Sequence, residues 1–173
     1  MFGDEDIKIF GQNGKSSFDE KSPIGTDKAT VNAAKTLGRK LAEEFVKAVT
    51  QPVEDEGDGE MHLQRQFLLS FAVTVGLETY CEDSVAGIAQ KQFLDSIRQK
   101  SAVIYKNSSD TGAFTFYYLA FRRGSEVERR VGQTFAMLCS HDGDPIYQEL
   151  GEALYCWFFS LVRRMSEELG LLK

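Results

Sequence analysis

A chain of 173 residues, 42% hydrophobic and 27% charged, has the balance of a folded globular protein and length enough to bury a core without disulfide staples. Its net charge of −6 argues against a nucleic-acid binder, which needs a basic footprint. The longest charge-free stretch, residues 66–77, is too short to span a bilayer, and the acidic opening MFGDEDIKIF is no signal peptide, so a cytoplasmic location with no membrane partner is expected.

Residues 1–25 read as an N-terminal arm, irregular or a short hairpin, with four glycines and no sustained period. Its IKIFGQNGKS segment ends in Gly14-Lys15-Ser16 and invites a comparison with a phosphate-binding loop. That loop would need its first glycine where Ile9 stands, and a helix opening at the Lys-Ser. Pro23 and Gly25 follow instead, so Asn13-Gly14 reads as a turn.

From Thr26 onward the pattern is helical, and residues 26–173 are expected to form one domain, an all-α, compact antiparallel bundle of five to six helices. Val31, Ala34, Leu37, Leu41, Phe45 and Ala48 recur at helical steps, with Thr26 or Asp27 available as cap and Pro52 closing the segment. An acidic connector, EDEGDGE at 54–60, leads into a second helix to about Tyr80 that is apolar nearly all round. A helix without a polar face belongs at the centre of a bundle. The third helix is expected from Asp83 or Ser84 to about Lys106.

The aromatic stretch AFTFYYLAF, 113–121, fits strand alternation as well as a helical step; its helical neighbours favour helix. Ser125 and Glu128 have the spacing of a capping box ahead of Val127, Val131, Phe135 and Leu138. Asp144-Pro145 then opens the last helix, to about Leu169, as cap and first residue. Its apolar residues form two stripes. Ile146, Leu150, Leu154, Trp157, Leu161 and Met165 make one; Tyr147, Tyr155, Phe158, Val162 and Leu169 make the other, with Phe159 in a third direction. Together they exceed the arc one core needs, and Tyr147, Tyr155, Phe158, Phe159 and Val162 are expected at a homodimer interface. The competing account is that this helix is central in its own domain.

Little in the chain has the spacing of a catalytic motif. Cys81, Cys139 and Cys156 form no C-x-x-C pair and read as structural. His141, Asp142 and Asp144 could ligate a metal, but each has a simpler duty in a helix-turn-helix corner. There His141 complements the dipole in a last turn, Gly143 ends the helix and Asp144 caps the next. The acidic connector lacks the alternate acids of a calcium loop. The arginine pairs 122-123, 129-130 and 163-164 have glutamates within helical reach and read as a paired surface. Tyr117, Tyr118, Arg122 and Tyr155 are the candidate lining of a ligand pocket between helices. No cofactor is expected. The reading that follows is a non-enzymatic helical module acting through a protein partner or its own copy. A small-ligand sensor or enzyme with an aromatic pocket is the alternative, and a metal-dependent hydrolase a distant third.

Overall fold

The computed structural model describes residues 27–51 and 59–173. The N-terminal arm, the cap candidate Thr26, Pro52, Val53 and residues 54–58 of the acidic connector lie outside them. The described residues form seven α-helices and one 3-10 turn: α1 Lys28–Thr50, α2 Gly59–Tyr80, α3 Asp83–Lys100, α4 Ala102–Ser108, the turn Thr111–Phe114, α5 Thr115–Phe121, α6 Val127–Leu138 and α7 Pro145–Glu168. The architecture is the all-α bundle expected, and the aromatic stretch is helical.

Helix α2 is the centre. Leu68, Leu69, Phe71, Ala72, Val73, Val75 and Leu77 are all buried, on every side of the helix. It packs against every other helix, through Phe71 in the case of α5, and α7 lies along it most extensively. Helix α1 opens where Asp27 accepts a hydrogen bond from the Thr30 amide at 2.7 Å, satisfying one of the orphan donors of its first turn. The helix then packs along α3, burying Leu37, Leu41 and Phe45, and Phe45 meets Phe93 edge-to-face at 5.4 Å. The crossing is close because Gly38 carries no side chain: a Cβ there would run into the Ala89 carbonyl. Helices α6 and α7 approach equally closely at Gly132, where a Cβ would meet the Gln148 carbonyl.

Three local expectations are corrected. The third helix does not continue to Lys106. Ser101 leaves helical geometry at φ −157°, and its hydroxyl accepts from the Ile104 amide to start α4 as a separate helix. A serine hydroxyl can take a backbone amide from the preceding helix's path in this way. The break turns α4 onto α2, where the Ser70 hydroxyl donates to the Ser108 carbonyl at 3.0 Å and Asn107 donates to Gln66 at 3.0 Å.

The Ser125–Glu128 capping box does not form. Gly124 and Glu126 both take left-handed geometry, at φ 78° and 50°, so the chain enters α6 with Glu126 at the cap position, one residue beyond Ser125. Third, His141 is past the end of α6 rather than in its last turn. Ser140, at φ 61°, is the left-handed residue that closes this helix, a role expected of Gly143. The His141 amide reaches back to the Ala136 carbonyl at 2.8 Å and the Ser140 amide to Met137 at 3.0 Å, the paired bonds of a Schellman end. Gly143, at φ 81°, shapes the turn after it, and Asp144 caps α7 by accepting from the Ile146 amide at 2.9 Å.

The C-terminus is tied down. Gly170 ends α7, Leu171 is buried, and the Lys173 amide donates to the Tyr80 carbonyl at 2.9 Å, fastening the tail to the end of α2. No helix among the described residues is long and apolar enough to cross a membrane.

Candidate functional site

The tyrosines singled out by sequence do meet, and they meet on Phe71 of α2. Tyr117 stacks on that ring at 5.4 Å, Tyr118 stands edge-on at 5.1 Å, Phe114 at 6.0 Å and Phe121 at 6.3 Å, and Tyr155 closes the layer from α7 at 6.5 Å. Phe159 extends it, stacked on Tyr155 at 5.2 Å and lying 4.9 Å from Tyr80. The short α5 makes this layer possible: Tyr117 and Ala120, three residues apart, face inward together.

The layer is filled core rather than a lined cavity, for Tyr117 and Tyr155 are both buried. The Tyr117 hydroxyl has no hydrogen-bond partner among the described residues. Burial drives its ionisation far above the ordinary phenol value, and burial also raises Tyr155. Tyr118 is raised by burial first and then by the Glu78 carboxylate, against the opposing pull of Arg122. These phenols hold their protons at neutral pH and cannot act as bases there. Arg122 lies outside the layer, its guanidinium 5.8 Å from the Tyr118 ring.

At the histidine corner the three candidate ligands take separate surroundings. His141 stacks flat on Tyr147 with ring centroids 3.7 Å apart, Asp144 is engaged as the α7 cap, and Asp142 lies toward α5 and α6. No group of three histidine, cysteine or acidic side chains is placed to hold a metal among the described residues. The Cys81 thiol is buried 3.4 Å from the Ser166 hydroxyl, and burial raises both it and Cys156, so neither is an activated nucleophile.

On α7 the two stripes separate. Tyr155, Phe158 and Val162, expected at an interface, are turned into the chain's own core, while Tyr147 and Phe159 are half-buried. The other stripe divides along its length: Leu154 and Leu161 are buried, whereas Ile146 is 75% exposed, Leu150 38% and Trp157 45%. Ala153 is exposed between them. Residues 146, 150, 153 and 157 fall on one line at helical steps, an apolar strip facing away from the bundle.

Two open depressions mark the surface of the described residues. One of about 450 Å³ between α2 and α3 is lined by Thr74, Glu78, Asp83 and Gln90. The other, about 270 Å³, lies between α5 and α6 with Phe116, Leu119, Met137, Arg123 and Arg130. Sequence reasoning missed this second surface because an aromatic pattern without a clear period does not say which rings a seven-residue helix turns outward. The arginine pairs also divide: Arg129 joins Glu126 at 3.4 Å and Arg164 lies 4.0 Å from Glu168, while Arg123 and Arg130 line the groove. No family model matches the chain, and no curated protein or solved structure is significantly similar to it.

Proposed function

We propose that the protein is a cytosolic, non-enzymatic helical module that works by association, and that its simplest partner is a second copy of itself bound through α7. The observation that carries this reading is the exposed strip Ile146, Leu150, Ala153 and Trp157. Contiguous apolar surface of this kind marks interaction sites on proteins that otherwise cover their cores. The acidic net charge of −6 suits a protein surface better than a nucleic acid.

The strip is self-complementary. In an antiparallel two-fold pairing of α7 with a second α7, Ile146 packs against the Trp157 ring and Leu150 faces Ala153, whose small side chain leaves room for it. The strip is about 16 Å long by the helical rise, which places the association in the small, reversible class rather than among obligate dimers.

Trp157 is the chain's single tryptophan and sits in the strip, so it reports on the contact directly. On raising the concentration from nanomolar to high micromolar, its emission should move to the blue as the indole leaves water. An emission maximum independent of concentration across that range overturns the self-association.

A further inference from the structure

The groove between α5 and α6 is a second unpartnered surface, independent of the strip on α7. Tyr117 and Ala120 take the inner face of α5, which leaves Phe116 and Leu119 outside at 51% and 55% exposure, and Met137 of α6 is 42% exposed beside them. Arg123 and Arg130 line the same groove. Neither forms an ion pair among the described residues, and one buried guanidinium nitrogen of Arg130, Nη1, has no hydrogen-bond partner there. A buried donor of this kind costs stability until something accepts from it. Asp142, just beyond the end of α6, contributes a single carboxylate at the far end from the arginines.

We propose that this groove is the docking site of residues 2–10 of the same chain, FGDEDIKIF. The order of chemistry matches. Asp4, Glu5 and Asp6 precede Lys8 in the segment, and the groove offers Arg123 and Arg130, then apolar Met137, then Asp142. The spacing matches as well: Asp4 and Lys8, on one face of an extended chain, lie about 13 Å apart. Arg130 to the last residue of α6 spans about 12 Å along the helix. Ile7 and Ile9, on the opposite face of the segment, supply apolar contact for Phe116 and Leu119 of α5. The chain's other acidic run, residues 54–60, contains no apolar side chain and cannot do this. Reach is ample, because the residues between Phe10 and Asp27 extend to about 55 Å. A domain of this size has a radius of gyration of about 15 Å.

A zero-length carbodiimide crosslink on the full-length protein tests the assignment, since it joins an amine and a carboxylate only when they touch. The expected product is an amide between Lys8 and Asp142 in species of monomer mass. Its yield should fall about fivefold in Asp4→Lys/Glu5→Lys/Asp6→Lys, and likewise in Arg123→Glu, each of which removes favourable charge pairing. The triple variant changes no side chain of the helices, and Arg123 is exposed, so both keep the bundle. The ¹³C-methyl resonance of Met137 should shift in the triple variant while those of Met61 and Met165 hold still. Absence of the Lys8–Asp142 link together with an unmoved Met137 resonance overturns the proposal. A link found only in species of dimer mass also overturns it, by giving the groove to a second copy.

Discussion

Gly38 and Gly87 sit on the facing helices α1 and α3, and adding one methyl group to each should change stability in opposite directions. At Gly38 the new Cβ meets the Ala89 carbonyl and the Phe93 amide nitrogen, backbone atoms that cannot step aside. Gly38→Ala should therefore cost about 1–3 kcal/mol, the range for overpacking. Gly87 has nothing within 4 Å of such a Cβ and lies inside a helix, so Gly87→Ala should stabilise by about 1 kcal/mol through helix propensity alone. Ser140 poses the reverse problem. It holds φ 61° to close α6, a conformation costing an L-residue about 1–2 kcal/mol, part of which glycine recovers. Ser140→Gly should raise stability by about 0.5–1 kcal/mol after the added freedom of the unfolded chain is subtracted. Thermal unfolding of the three variants checks all these signs together.

At the scale of elements, the aromatic layer on Phe71 makes a prediction about alkaline pH. Tyr117, Tyr118 and Tyr155 have phenols raised by burial in the fold, whereas in the unfolded chain they ionise near the ordinary value of 10.0. The folded state then holds its protons longer than the unfolded one. This stability is full below about pH 10 and is lost as pH climbs past it. Denaturant titrations at pH 8 and pH 11 should show the loss, and Tyr117→Phe should reduce it. The same substitution removes a hydroxyl without a partner, so at neutral pH it should stabilise by about 1 kcal/mol. A Tyr117→Phe protein that is less stable at pH 8 would mean that the hydroxyl is bonded.

How far these elements are legible in sequence depends on how many neighbours decide them. Helix α2 announces its central place because a run such as Phe67–Val75 leaves no polar face to give to water. Asp27 and Asp144 announce their caps because the bond is local, made within three residues. The break at Ser101 is less visible, since the same serine could sit inside a helix; only the pull of α4 toward Gln66 and Ser70 decides it. Periodicity finds both stripes of α7 but cannot choose which one the rest of the chain covers. That choice belongs to α2 and α6, which pack on α7 and take Tyr155, Phe158 and Val162 inward. The α5–α6 groove is invisible for a related reason: Phe116 and Tyr117 are adjacent in sequence, and a seven-residue helix gives too few turns to separate their faces.

For the molecule as a whole, the central claim is that the apolar strip of α7 is an association surface and that a second copy covers it. Ile146 and Leu150 project from the bundle, so replacing both with glutamate leaves the buried core untouched. Sedimentation equilibrium of the native protein and of Ile146→Glu/Leu150→Glu, through the micromolar range, tests the claim most directly. The account predicts a reversible dimer for the native protein and a monomer with unchanged helical content for the variant. A native protein that stays monomeric throughout, or a variant that dimerises equally well, would contradict it.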